Sequence, residues 1–273
     1  MSAANAPLEV TLSNPRADRV RRVRALAGAP VRKREGRFLV EGPQGVREAV
    51  RFAATRIRDV YVTPDAAERH PEIVREAQAA GVYVHGCSDE VSGAMSKDAQ
   101  GVLAVVEAVP VPIEEAFATG RTPVIVLSDV RDPGNLGVVI RTADVAGAGG
   151  VICAGDCVEA TNPKVVRATA GSLFHLPVVE GPALVEAVEA AHEGGMRVLA
   201  ADGSGDVVLG EAGADAEALS RPTAWAFGNE AHGLAPEALA LADAVVRIPI
   251  LGHAESLNLA TAVAVCLYAG LRR

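Results

Sequence analysis

Two rhythms of apolar positions alternate along this chain. Stretches with apolar residues three or four apart read as helices, and short runs of Val, Ile, Leu and Ala read as strands. Residues 1–13, polar through most of their length, read as a flexible tail. Asn14-Pro15 then opens a basic helix to about Ala27, with Val20, Val23 and Leu26 on one side and arginines on the other. Arg32 to Gly36 reads as a charged turn, Arg37 to Glu41 as a strand and Gln44 to Ala54 as a helix. Strand Arg58 to Val62, helix Glu72 to Ala80, and strands Val82 to His85 and Val102 to Glu107 complete a small α/β domain over residues 14–107.

Pro110, Pro112 and Gly120 mark residues 108–121 as a linker, with one short helical stretch at Glu114 to Ala118. Pro123 to Leu127 (PVIVL) follows, an unbroken apolar run suited to a central, buried strand. Helix Leu136 to Ala146, strand Gly150 to Cys153, helix Lys164 to Ala168, strand Leu176 to Val179 and helix Ala183 to Glu193 come next. Strands Arg197 to Ala200, Thr223 to Phe227 and Val245 to Pro249 precede a final helix, Leu257 to Leu271. This alternation predicts an α/β fold whose second domain, residues 122–273, is an open and largely parallel sheet. Gly203 to Ala218, rich in Gly, Ala and Asp, reads as a surface excursion.

Composition narrows the setting. Hydrophobic residues make up 49% of the 273 but aromatics only 3%, so Val, Ala and Leu must fill two cores. No 18-residue apolar run exists, because Asn258 and Thr261 interrupt the last helix, and the N-terminus lacks the apolar centre of a secretion signal. A soluble, cytoplasmic protein with no membrane partner is expected. Cys153 and Cys157 are four apart, but no Cys or His pair at zinc-like spacing answers them. Cys87, Cys153, Cys157 and Cys266 therefore read as reduced, mostly buried thiols, and no metal is expected.

Charge is unevenly spread. The net charge is −8, yet Asn14 to Val60 holds 13 Lys and Arg against 5 Asp and Glu, a local +8. From Tyr61 onward 13 basic residues face 28 acidic ones, a local −15. A basic segment on an acidic body suits a polyanion held at one end, although a solvated helix face would read the same way.

Three stretches in the second domain carry polar groups where a plain core would want none. In Asp132-Pro133-Gly134-Asn135, a tight turn leaves a strand and Asn135 is placed to cap the next helix. Arg141 lies six residues on, within an otherwise apolar helix, and must find solvent, an acidic partner or a bound anion. Gly228-Asn229-Glu230 follows the strand Thr223 to Phe227, its glycine leaving bare backbone for a ligand. Ile248-Pro249-Ile250 ends a strand, and Glu255-Ser256-Leu257-Asn258 opens the last helix, with Ser256 a natural N-cap and Asn258 an unfavourable residue for a first turn unless partnered.

In order and spacing, Ser128 to Asp144, Phe227 to Leu234 and Ile248 to Val265 resemble the three motifs of the SpoU (TrmH-like) branch of the SPOUT RNA methyltransferases. Gly36 to Val50 (GRFLVEGPQGVREAV) also resembles the L30e-like substrate-binding domain that precedes the catalytic domain in many members. The resemblance implies a C-terminal sheet with a deep trefoil knot, S-adenosylmethionine as methyl donor, an RNA ribose 2′-hydroxyl as acceptor, ribosomal RNA before transfer RNA, and a homodimer joined through the catalytic domain. It implies Asn135, Arg141, Glu230, Ser256 and Asn258 as the active-site set. Leu127, Gly228, Asn229, Ile248, Ile250, Ser256 and Leu257 would hold the cofactor, and Arg22, Arg32, Lys33, Arg34 and Arg37 the RNA. Arg141 would contact the phosphate beside the target ribose, acting as base or as electrostatic stabiliser. Two rival readings exist. A dinucleotide-binding enzyme fits poorly, since Gly147, Gly149 and Gly150 follow a helix and precede a strand. A non-catalytic RNA-binding factor on the same fold is separated from an enzyme by a methylation assay.

Overall fold

The structure, a computed structural model, describes residues 8–211, 219 and 221–271. The first seven residues of the expected tail, and residues 212–218 of the expected excursion, lie outside these. The chain forms two compact units. One comprises Met1–Val109 with Thr161–Phe174, the other Pro110–Ala160 with His175–Arg273.

The first unit contains β1 (Val10–Leu12), α1 (Asp18–Ala25), α2 (Ala29–Glu35), β2 (Arg37–Glu41), α3 (Pro43–Ala53), β3 (Ile57–Val62), α4 (Pro64–Arg69), α5 (Pro71–Ala79), β4 (Val84–Cys87), α6 (Asp89–Met95) and β5 (Val102–Glu107). Its sheet runs in the order β1-β4-β3-β5-β2. Strand side chains alternate between faces: Phe38 and Val40 join Val46, Ala49 and Ile73 in one core, whereas Leu39, Tyr61 and Val105 join Val20, Val23 and Leu26 in another.

Two expectations fail here for identifiable reasons. The tail is ordered from Val10, because β4 offers an open edge along which β1 pairs in parallel. Gly86 permits the approach, since a Cβ there would stand 2.0 Å from the Glu9 carbonyl oxygen. Arg32 to Gly36 is no turn but the end of α2, bracketed by Pro30 in its first turn and by Gly36 in the left-handed region at φ 60°. Arg, Lys and Glu are good helix formers, and their charge alone was a poor reason to read a turn.

The second unit begins with α7 (Glu115–Ala118), β6 (Val124–Ser128), α8 (Pro133–Val145) and β7 (Val151–Ala154). The next helix, α9 (Pro163–Ala168), packs in the first unit, where Arg167 pairs with Glu41 and, at 3.1 Å, with Asp98. The second unit resumes with β8 (Val178–Glu180), α10 (Leu184–Glu193), β9 (Arg197–Ala201), β10 (Val207–Val208), β11 (Thr223–Phe227), α12 (Pro236–Leu239), β12 (Ala244–Arg247) and α13 (Leu259–Leu271). All seven strands are parallel, in the order β10-β12-β9-β11-β6-β7-β8. β10 lies inside the stretch expected to be a plain excursion and extends the sheet at its edge.

From β6 the chain moves outward to β7 and β8, then crosses to β9 on the far side, and β11 is inserted beside β6. Such a reversal leaves a crevice beyond the carboxyl ends of the central strands, where open α/β sheets take ligands. The central strands are fully buried from Val124 to Leu127 and nearly so from Thr223 to Phe227, so the loops that follow them stand on a rigid base.

Candidate active site

Three loops leave the carboxyl ends of β6, β11 and β12, and their side chains meet. Asp132 caps α8: its Oδ1 accepts the Asn135 backbone N–H at 2.7 Å. Asn135 therefore lies in the first turn rather than at the cap, which frees its amide for other partners. The Asn135 Nδ2 donates to Glu230 Oε1 at 3.2 Å, and its Oδ1 accepts from Asn258 Nδ2 at 2.8 Å. Glu230 also accepts the backbone N–H groups of Arg131 and Asp132, at 3.5 and 3.3 Å. One carboxylate thus holds the loop after β6 against the loop after β11. Asn229 adds a second tie, donating from Nδ2 to the Asp129 carbonyl at 2.7 Å.

Asn258, not Ser256, caps the last helix. The helix starts at Leu259, and the Asn258 Oδ1 accepts from the Ala260 and Thr261 N–H groups at 2.9 and 3.4 Å. The apolar run misled the reading of the start, because Leu257 is exposed before the first turn begins. Losing an N-cap costs about 0.5–2 kcal/mol. Asn258→Ala should therefore lower the midpoint of the second unit's thermal unfolding by a few degrees and release Asn135; an unchanged midpoint would mean that solvent caps α13 equally well.

Beside this network lies a cleft of about 510 Å³, within the roughly 300–1,000 Å³ range of small-molecule sites. Its walls are Ala201 to Gly203 after β9, Phe227 to Ala231 and Gly233 after β11, and Val246, Ile248 and Ile250 along β12. Glu255 to Leu259 and Ala262, at the start of α13, close it with Asn135. Of the expected site residues, Asn135, Gly228, Asn229, Glu230, Ile248, Ile250, Ser256, Leu257 and Asn258 all line this one space. Leu127 does not: it is fully buried in β6, paired with Phe227. Arg141 does not line it either. It is exposed on α8, with no hydrogen bond or ion pair among the described residues.

The lining carries three carboxylates, Asp202, Glu230 and Glu255, and among the described residues no Lys or Arg. A cleft so furnished favours a cationic guest and repels a phosphate. Asp202 and Asp132 were not anticipated as site residues, although Asp132-Pro133 is itself a helix-start signal of cap followed by N1 proline. Asp129, an acidic partner open to Arg141 by sequence, has other partners. It holds φ 56°, and its carboxylate accepts from Ser128 Oγ and the Asp156 N–H at 2.9 and 2.8 Å. Among the described residues, no group of three or more His, Cys, Asp and Glu is placed to hold a metal ion.

The four cysteines divide sharply. Cys87, Cys153 and Cys266 are buried, and burial pushes Cys87 to about 11 and Cys266 to about 12. Cys157 is half-buried and shifted down, first by a hydrogen bond from Cys153 and further by the Val130 N–H at 3.3 Å. A thiol-directed bimane reagent at pH 8 should mark Cys157 ahead of the other three; peptide mapping that finds Cys87 or Cys266 first would contradict this.

Comparison with known proteins agrees with the geometry. Residues 122–268 match the model of the SpoU rRNA methylase family, and residues 17–104 match that of the MRM3-like substrate-binding domain. The chain belongs to the SpoU rRNA methylase family. It is 31% identical to the 23S rRNA (guanosine-2′-O-)-methyltransferase RlmB of Bordetella pertussis, over 86% of this chain and 97% of that one. It superimposes with a TM-score of 0.81 on the AdoMet-bound rRNA methyltransferase of Sinorhizobium meliloti, at 28% identity over 98% of each chain. The AdoMet complex of the SpoU methyltransferase AviRb from Streptomyces viridochromogenes gives 0.79, at 28% identity over 94% of this chain and 98% of that one. Among the described residues of this SpoU member, no helix is long and apolar enough to cross a membrane.

Proposed function

We propose that this protein transfers a methyl group from S-adenosylmethionine to a ribose 2′-hydroxyl of ribosomal RNA, in the 23S molecule, in the cytoplasm. The observation that carries the reading is the junction of three sequence-distant loops, through Asn135, Glu230 and Asn258, at the mouth of an acidic cleft. The chemistry of the lining fits the methyl donor. S-adenosylmethionine carries a sulfonium and an ammonium against one carboxylate, and the cleft offers Asp202, Glu230 and Glu255 with apolar Ile248, Ile250 and Leu257. Gly228 and Asn229, after β11, line the cleft beside these residues.

S-adenosylmethionine supplies, when bound, a methyl group already activated by positive sulfur. The residues of this chain must then place a sugar oxygen in line with it and tolerate the charge that appears as the hydroxyl proton passes to a solvent molecule, the sulfur leaving as a neutral thioether. Asn135 and Ser256 hold the ribose, and Asn258 and Glu230 hold Asn135. Alignment alone in a dry site contributes several kcal/mol, on the order of 7–11 when ideal. Arg141 contacts the neighbouring phosphate and stabilises the emerging alkoxide. A guanidinium keeps its proton at neutral pH, so charge stabilisation suits it better than proton abstraction.

The same reading pairs two copies through the catalytic domain. Val138 and Val145 flank Arg141 on the exposed side of α8, and Val265 and Tyr268 are exposed on α13, which packs on α8. Pairing there sets Arg141 at the boundary between copies, in keeping with its absence from the cleft of its own chain. The family's knot belongs to the same reading, with α13 packed on α8. RNA is gathered by residues 14–107, through Arg22, Lys33, Arg34 and Arg37. Arg32 is set apart, being 5% exposed with its guanidinium donating to the Ala27 carbonyl at 2.7 Å.

The test is direct. Protein incubated with methyl-labelled cofactor and ribosomal RNA from cells lacking the gene should yield a labelled 2′-O-methyl nucleoside after digestion. Binding of the RNA without incorporation would favour the non-catalytic reading.

A further inference from the structure

In the first unit, α1, α2, β2 and β3 border a second pocket, of about 290 Å³, remote in sequence from the catalytic motifs. Its floor is apolar, made of Val23, Leu26, Val31 and Val105. Its rim carries Arg19, Arg22, Arg34 and Arg37 against Glu35 and Asp59, four cations to two carboxylates. Both carboxylates are engaged: Glu35 with Arg34 at 3.0 Å, Asp59 with His85 at 2.7 Å. Arg22 and Arg37 have no hydrogen bond or ion pair among the described residues. The rim is therefore short of anions.

An aromatic row leads from the pocket to the surface. Tyr61, in the pocket wall, stacks on His85 at 4.9 Å, and Tyr83, outside the pocket lining, is tilted against the same His85 ring at 4.4 Å with 64% of its surface exposed. The Arg19 guanidinium meets both ring nitrogens of His85, Nε2 at 2.9 Å and Nδ1 at 3.2 Å, and Asp59 meets Nε2 at 2.7 Å. His85 thereby bridges the row to the rim and fixes both.

We infer that this pocket receives one unpaired RNA nucleotide, its base on the apolar floor and its phosphate on Arg22 and Arg37, with the adjoining base stacked on exposed Tyr83 beside the pocket. The choice of RNA rests on the methyltransferase reading; the choice of an unpaired nucleotide does not. A regular duplex keeps its base faces stacked on each other and has only phosphates to offer, which would leave floor and row unused. An acidic peptide would satisfy the arginines and likewise leave the aromatic row bare. At 290 Å³ the pocket holds a single flat heterocycle rather than a length of strand.

The experiment measures binding of the full-length protein to a labelled single-stranded oligoribonucleotide and to the same sequence in a perfect duplex, by fluorescence anisotropy across a salt series. The single strand should bind more tightly. Arg22→Ala with Arg37→Ala should weaken it at least about tenfold and reduce the salt slope by about 0.7, the share of one phosphate on a single strand. Tyr83→Ala should cost about tenfold and Tyr83→Phe nothing, the signature of stacking. An unchanged circular dichroism spectrum and thermal unfolding profile in each variant certify that the first unit is intact. Variants that bind the strand like the parent, equal affinity for duplex and strand, or full competition by polyglutamate would each overturn the inference. If the parent methylates ribosomal RNA and the variants do so with the same KM, this pocket is wrong and the methyltransferase reading stands. If the parent never methylates yet the variants lose the strand, the reverse holds.

Discussion

Arg141→Ala is expected to lower kcat about 10²–10³-fold, the usual loss when one preorganised charge-stabilising group is removed. Affinity for S-adenosylmethionine should stay within about twofold, because Arg141 touches none of the cleft. Stability should barely change: the side chain is exposed and unpaired among the described residues, and such substitutions usually fall within about 0.5 kcal/mol. Arg141→Lys should recover only part of the rate, since an ammonium keeps the charge but loses the planar fork that grips a phosphate. Single-turnover kinetics beside calorimetry of cofactor binding separates the quantities. Equal loss of rate and cofactor binding would show that Arg141 supports the fold instead.

Gly228→Ala should be the most damaging small change in the second unit. A Cβ on Gly228 would stand 2.1 Å from the Gly233 carbonyl carbon, 2.2 Å from its oxygen and 2.3 Å from the Leu234 nitrogen. All three are backbone and none can swing aside. The two chains there are tied by mutual hydrogen bonds, Asn229 N–H to Gly233 carbonyl at 3.1 Å and the reverse at 2.8 Å. Making room displaces the loop that carries Glu230, so Asn135 and the backbone of Arg131 and Asp132 lose their acceptor together. Overpacking of this kind costs about 1–3 kcal/mol and sometimes more. Cofactor affinity should drop at least about tenfold, since the same loop lines the cleft. Gly203→Ala is the matched control: it lines the same cleft, has open space around the added atom, and should be tolerated. Calorimetry and thermal unfolding of the pair decide the matter, and equal behaviour would sink it.

Strands were legible where burial on both faces removed polar residues. Arg37–Glu41, Val102–Glu107 and Thr223–Phe227 coincide with β2, β5 and β11 to the residue. Short helices such as α4, α6 and α12 were not, because six, seven and four residues give no hydrophobic period to count. Caps misled more than elements did. Asn135 and Ser256 each have the chemistry to cap, but Asp132 and Asn258 do so, because where the helix starts depends on how loops from three strands settle against each other. The gathering of Asn135, Glu230, Ser256 and Asn258 was foreseeable from their places after strand ends. The position of Arg141 outside the cleft was not, since a residue six places along a helix from Asn135 carries no sign of which wall it leaves.

The bond between Asn135 and Asn258 spans 123 positions of chain, and the second partner stands only at the threshold of the last helix. During synthesis, the first catalytic loop therefore waits for 123 further residues before it acquires its brace. A message cut short, or a translation stalled before α13, leaves a product with a sheet and no braced site. The arrival of Asn258 is the licence for the enzyme's chemistry, and frameshifts just upstream of its codon should silence it as thoroughly as early ones.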